Sequence, residues 1–116
     1  MAGTEESAQR EPILGPMVKR IPQGVQVPAA RGITATVQLR SLGPQPEEWY
    51  IVIQSGVCTV VEGNADKNDL TLEASNQTWS ALANRKLDSA WAYMSGQLSI
   101  RGDIGLAMQL QSLLSV

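Results

Sequence analysis

Apolar and polar residues alternate along five segments of the chain, and this period of two predicts β-strands at 33–40, 49–53, 57–61, 70–74 and 97–101. In the first segment, aliphatic residues face one side and Thr, Gln or Arg face the other, which is typical of a half-buried strand. The second and third segments flank Ser55-Gly56, which predicts a tight hairpin in which Gln54 pairs with Val57. The inward face of this hairpin is then expected to carry Trp49, Ile51, Ile53, Cys58 and Val60.

Apolar residues at spacings of three and four predict helices over 76–84, from 88 to just before Gly96, and over 104–114, preceded by the N-cap residues Ser75, Asp88 and Asp103. A further short helix is expected to begin at Pro16 and to end before Pro22. The last helix is apolar around far more than the ~100° stripe that a surface helix needs. Four strands followed by helices, a strand and a helix predict an α+β fold. We expect a five-stranded, mainly antiparallel sheet with one face covered by helices.

The length of 116 residues indicates one domain. Residues 1–14 are expected to form a flexible N-terminus, and residues 15–116 a single lipid-binding domain of the kind described below. No apolar run approaches the ~18 residues needed to cross a bilayer. The polar, acidic first residues do not resemble a secretory signal, and the single Cys58 cannot form an internal disulfide. The expected location is therefore cytoplasmic.

The composition also limits the chemistry that the chain can perform. Histidine is absent and there is one cysteine, which excludes zinc sites of the Cys/His type and removes the commonest general base. We therefore predict no metal, no cofactor and no enzymatic activity. An enzyme that uses Asp or Tyr is the least supported alternative, because no carboxylate pair or activated nucleophile is evident. The net charge of −2 argues against a nucleic-acid partner.

Three stretches of the sequence resemble the sterol carrier protein family, the non-specific lipid-transfer proteins of the sterol carrier type. Residues 49–63 are similar to the central hairpin of the family, and residues 69–79 to its fourth strand and the helix that follows. Residues 94–110 are similar to its strand-to-helix signature, which here reads Gly102-Asp-Ile-Gly-Leu-Ala107. The resemblance covers residues 21–114. It implies a hydrophobic tunnel between the sheet and the helices, which accepts sterols, fatty acids or acyl-CoA.

The candidate ligand-binding residues are large apolar side chains of the helices and the fifth strand, because indoles and adaptable methionines suit a lipid. They are Trp79, Leu82, Trp91, Met94, Leu98, Ile100, Ile104, Met108, Leu110 and Leu113. Packing in an ordinary core is the competing interpretation for each of them.

The predicted function is non-catalytic binding, and transfer, of an apolar ligand in the tunnel: a fatty acid, acyl-CoA, sterol-like or isoprenoid lipid. Transient contact with a membrane is a further hypothesis. The alternative function is an accessory module that docks on an enzyme or membrane complex through the apolar C-terminal helix. A homodimer through residues 104–116 would fit that alternative, and the oligomeric state is left open.

Overall fold

Five strands form one sheet in the described part of this computed structural model, which comprises residues 13–44 and 46–110. The strands are β1 (Ala35–Leu42), β2 (Glu47–Gln54), β3 (Val57–Glu62), β4 (Leu70–Ser75) and β5 (Leu98–Gly102). The α-helices in the same residues are α1 (Leu14–Val18), α2 (Asn76–Ala83), α3 (Ser89–Met94) and α4 (Ile104–Gln109). A 3₁₀ helix at Pro28–Ala30 precedes β1.

The strands lie in the order β3-β2-β1-β4-β5. Every neighbouring pair is antiparallel except β1 and β4, which run parallel in the centre of the sheet. The predicted α+β fold with a mainly antiparallel sheet is therefore confirmed. In the β2–β3 hairpin Gln54 pairs with Val57 as predicted. Ser55 and Gly56 have positive φ angles of 50° and 83°, which suits the right-handed twist of a two-residue hairpin.

One face of the sheet carries the hydrophobic core. The inward side chains of the strands are almost fully buried, among them Val37, Leu39, Ile51, Ile53 and Leu72. Residues from the helices belong to the same buried cluster: Leu14, Val18, Trp79, Ala92, Leu106 and Leu110. Because apolar side chains from both layers exclude water from one shared core, the helices cover this face of the sheet.

The opposite face of the sheet is mixed, with Tyr50, Val52 and Val61 among polar residues, and it includes one buried glutamine. Gln38 is completely buried, and its amide NH₂ donates to the carbonyl oxygens of Trp49 and Gly63 at 3.1 and 3.0 Å. Its amide oxygen accepts the N–H of Ala65 at 2.8 Å. The side chain therefore replaces backbone partners that the turn after β3 lacks.

The three predicted N-caps are confirmed. Ser75 accepts the N–H of Thr78 at 3.1 Å, Asp88 that of Trp91 at 3.1 Å, and Asp103 that of Leu106 at 3.0 Å. Each cap satisfies one N–H that has no partner within its helix. These caps fix where α2, α3 and α4 begin, and the last two position the candidate site.

Several element bounds differ from the predictions by one or more residues. The first strand begins two residues later than predicted, because the N–H of Ile33 donates to Ala30 in the turn after the 3₁₀ helix. The first helix begins at Leu14 rather than Pro16, so the expected boundary of the flexible N-terminus lies inside α1, where Leu14 is fully buried. The last helix ends at Gln109, with Leu110 as its C-cap, and the predicted continuation over 111–114 lies outside the described residues.

Candidate functional site

An apolar groove of about 220 Å³ lies between α3, β5 and α4. Its floor is formed by the sheet, through Leu72 of β4 and Leu98 and Ile100 of β5. Leu72 and Ile100 are paired across the antiparallel ladder, so their side chains lie side by side on the inward face. The two helices form the sides of the groove.

Helical spacing explains which residues of α3 line the groove. Ser89, Ala90, Tyr93 and Met94 all line the groove, and residues four apart lie one turn above each other on the same face. Ala92 points to the other side, where it is fully buried in the core. A six-residue helix with one small buried residue therefore holds the groove wall in place.

Helical spacing also explains which residues of α4 line the groove. Ile104, Ala107 and Met108 line the groove at spacings of three and four, whereas Leu106 and Leu110 are buried on the core side. The predicted excess of apolar surface on this helix thus divides between two faces. Ile104 is 45% exposed and Met108 is 70% exposed, so the mouth of the groove has an apolar rim.

The groove contains little polar chemistry. Eight of the ten lining residues have wholly apolar side chains, and the hydroxyls of Ser89 and Tyr93 are the polar exceptions. Among the described residues no group of three His, Cys, Asp or Glu could hold a metal ion. The side chain of Cys58, on β3, is buried in the core, and this burial raises the pKa of its thiol. This arrangement suits dispersion contacts and desolvation of an apolar ligand.

Five of the ten predicted site residues line the groove together: Met94, Leu98, Ile100, Ile104 and Met108. Trp79 is elsewhere in the core, 1% exposed, and its indole N–H donates to the carbonyl oxygen of Arg40 at 2.8 Å. Leu110 is also buried in the core, and Leu82 is partly buried and packs against the core cluster. Trp91 is 58% exposed and is absent from the groove lining. Leu113 falls outside the described residues.

Sequence reasoning missed five residues of the groove: Leu72, Ser89, Ala90, Tyr93 and Ala107. Helical spacing from Met94 points to Ala90, four residues before it, and spacing from Ala90 points to Tyr93, three residues after it, so part of this set had a usable signal. Leu72 needed knowledge of the β4–β5 pairing, which strand patterns do not contain. No helix within residues 13–44 and 46–110 combines the length and the hydropathy needed to cross a bilayer.

Comparison with known proteins agrees with this arrangement. Human sterol carrier protein 2 is 33% identical over 73 residues, which is 61% of this chain and 13% of that protein. Rat hydroxysteroid dehydrogenase-like protein 2 is 28% identical over 86 residues, 73% of this chain and 16% of that protein. The chain thus spans less than one fifth of these two curated relatives.

The fold is shared with solved structures. The solution structure of palmitated SCP2L2 from Aedes aegypti has a TM-score of 0.70 at 21% identity, covering 90% of this chain and 92% of that one. The family model of the SCP-2 sterol transfer family matches residues 19–115 of this chain. These residues include β1 to β5 and both sides of the groove. The chain therefore belongs to the SCP-2 sterol transfer family, whose general function is the binding and transfer of lipids.

Proposed function

We propose that this chain is a non-catalytic carrier that holds an apolar ligand in the groove between the sheet and the helices. The ligand would be a fatty acid, an acyl-CoA, a sterol-like or an isoprenoid lipid. The observation that carries the proposal is a groove of about 220 Å³ in which eight of ten lining residues are wholly apolar. The residues proposed to contact the ligand from the predicted set are Met94, Leu98, Ile100, Ile104 and Met108.

The size of the groove sets the scale of the affinity. At about 30 Å³ for a group the size of a water molecule, 220 Å³ holds roughly seven methylene groups. Burying seven methylenes gains about 6 kcal/mol before the entropy of association is subtracted. Micromolar binding corresponds to about 8 kcal/mol, so the groove as it stands supports weak binding, and tighter binding requires more buried chain.

The test is a fluorescence titration with cis-parinaric acid, a fatty acid whose emission rises in apolar surroundings. A double variant, Met94→Glu with Met108→Glu, places two carboxylates at the groove. Val25→Glu with Leu42→Glu is the matched control, because both residues are exposed and apolar and neither lines the groove. Both variants carry the same net charge, so a general repulsion of the probe affects them equally.

The groove variant should weaken probe binding by at least about tenfold, and the control should stay within about twofold of the natural chain. Equal binding by the two variants would place the probe elsewhere and contradict the proposal. Native mass spectrometry of the purified protein, followed by solvent extraction, would identify any lipid that remains bound. Absence of probe uptake at high micromolar concentration would count against a carrier.

A second candidate function is the accessory module that docks through α4. The exposed side chains of Ile104 and Met108 favour it, because they form an apolar rim on a short helix. Association that depends on protein concentration, and that the groove variant abolishes while no probe binds, would support this function instead. Transient membrane contact and a cytoplasmic location belong to the carrier proposal and would be examined by vesicle co-sedimentation and cell fractionation.

A further inference from the structure

Two of the three methionines in the described residues stand at the groove. Met94 is the last residue of α3 and Met108 lies on α4, so each helical side of the groove contributes one thioether. The two residues are 76% and 70% exposed, whereas Met17 of α1 is 6% exposed in the core. The methionines that solvent reaches are therefore the ones proposed to contact the ligand.

The thiol of the chain, which would compete for an oxidant, is sheltered. Cys58 is the single cysteine and is fully buried in the core. Burial also raises the pKa of its thiol, so that less of the reactive thiolate is present at a given pH. A thioether reacts without ionising, and its accessibility decides how fast it is oxidised. Among the described sulfur-containing side chains, Met94 and Met108 are thus the most open to attack.

Oxidation of a methionine by hydrogen peroxide needs no further reactant. A lone pair of the thioether sulfur attacks one peroxide oxygen, the S–O bond forms as the O–O bond breaks, and the departing hydroxide takes the proton of the transferred oxygen to become water. The sulfur gives up two electrons and the side chain becomes a sulfoxide. Methionine sulfoxide reductases reverse the change, because two of their thiols supply two electrons, become a disulfide and release the oxygen as water.

A sulfoxide at the groove works against an apolar ligand. With both methionines oxidised, four of the ten lining residues would carry a polar group in place of two. A sulfoxide oxygen holds water, and a hydrocarbon chain that displaces this water offers no hydrogen bond in return. The fold itself should tolerate the change, because Met94 and Met108 are largely exposed and neither belongs to the buried core cluster.

We propose, on the basis of the carrier function above, that Met94 and Met108 form a reversible oxidation site through which peroxide weakens the hold of the groove on its ligand. Ligand and oxidant compete for the same two side chains. A bound hydrocarbon chain covers the thioethers and slows their oxidation, and the sulfoxides in turn weaken the binding of the next chain. An exposed methionine away from the groove would show neither effect, so the coupling of the two measurements identifies the site.

The experiment treats the folded chain with dilute hydrogen peroxide and follows each methionine by mass spectrometry. Trypsin cleaves after Lys and Arg, so the four methionines fall in four different peptides, which are residues 1–10, 11–19, 87–101 and 102–116. Fragment spectra separate Met94 from Trp91 in their shared peptide. After the peroxide has been removed, titration with cis-parinaric acid measures the affinity, and reductases for both sulfoxide epimers test the reversal.

Two variants assign the effect to the groove. The double variant Met94→Leu with Met108→Leu replaces both thioethers by apolar side chains of similar volume that peroxide does not oxidise. Met17→Leu is the matched control, because it removes a buried methionine and leaves both methionines of the groove in place. Each chain is compared with its own untreated form, so that any effect of the substitution itself on binding cancels.

We expect Met94 and Met108 to be oxidised at least about tenfold faster than Met17, and saturating dodecanoate to slow both reactions by at least about fivefold. Oxidation should weaken probe binding by at least about tenfold in the natural chain and in Met17→Leu, and reductase treatment should restore it. The melting temperature should stay within about 3 °C. The double leucine variant should keep its affinity within about twofold.

Full oxidation of both methionines with unchanged affinity would overturn the oxidation site while the carrier function stands. An equal loss of binding in the double leucine variant would assign the effect to another residue and would also overturn it. Oxidation of Met17 as fast as that of Met94 and Met108, or no protection by dodecanoate in a chain that binds the probe, would contradict the proposed competition. Failure of the untreated chain to bind the probe would reject the carrier function itself.

Discussion

A single carboxylate fixes the start of α1, and its removal gives the sharpest prediction of the fold. Glu47, at the beginning of β2, accepts the backbone N–H of Ile13 at 2.6 Å, of Leu14 at 3.0 Å and of Gly15 at 3.1 Å. A helix of five residues does not form in isolation, because the cost of nucleation exceeds what so few hydrogen bonds return. The carboxylate and the burial of Leu14 and Val18 therefore hold α1 against the sheet.

The substitution Glu47→Gln keeps the length of the side chain but replaces one acceptor oxygen with an NH₂ group that faces N–H donors. At least one charge-assisted hydrogen bond is lost, together with the attraction between a negative charge and a helix N-terminus. We expect the free energy of unfolding to fall by about 2 kcal/mol. For a domain of this size such a loss lowers the melting temperature by roughly 8 °C.

Thermal unfolding followed by circular dichroism measures this loss, and urea unfolding provides the free energy. Glu62→Gln is the matched control, because it removes the same charge from an exposed residue of β3 whose side chain makes no hydrogen bond or ion pair with any described residue. Hydrogen exchange of the amides of Leu14 and Gly15 should become faster in the first variant alone. Melting temperatures of the two variants within about 1 °C of each other would refute the reasoning.

Three further predictions follow from one close backbone contact and two buried side chains. In urea unfolding, Gly102→Ala should destabilise the fold by several kcal/mol, because Gly102 has a φ of +104° and a Cβ there would overlap the carbonyl oxygen of Asp69. The control Gly24→Ala should cost only about 1 kcal/mol, because Gly24 also has a positive φ, +75°, but lies in open space. Gln38→Leu should cost about 3 kcal/mol or more in the same assay, because two carbonyls and one N–H lose their partner in a buried place. Cys58 should react with a disulfide reagent no faster than the chain unfolds, because burial excludes the reagent and the raised pKa leaves less thiolate at a given pH; rapid labelling of the folded chain would contradict this.

The strands, the hairpin and the helix caps could be predicted because their signals are local. The alternation in 70–74 and the Asp residues before α3 and α4 decide structure within a few positions of themselves. The start of α1 could not be predicted in this way. Its cap comes from Glu47, which is 34 residues away from Ile13 along the chain, and no local pattern contains that contact.

The candidate site was predictable only in part, for the same reason. Met94, Ile104 and Met108 came from apolar excess on short helices, and that excess is a property of the sequence itself. Which face of a helix meets the sheet depends on how the layers pack. Trp79 illustrates this, because its size suggested a ligand wall, whereas its hydrogen bond to the carbonyl oxygen of Arg40 anchors it over β1. The polar N–H of this indole therefore fixes the packing of Trp79 in the core and does not face a ligand site.

The size of the groove connects ligand length to movement of α4. A chain of sixteen carbons needs about 480 Å³ at roughly 30 Å³ per carbon, more than twice the 220 Å³ present, so in the proposed function the excess must either stay in water or displace part of the wall. The sheet floor is held by backbone hydrogen bonds on both sides of β4, whereas α4 is anchored to the core by Leu106 and Leu110. Releasing these two side chains costs about 1.5–3 kcal/mol each, while each additional methylene buried gains about 0.8 kcal/mol. Burial of roughly four to eight further methylenes would therefore offset the release of α4, so in the proposed function a long chain that becomes fully buried would bind together with the opening of this helix.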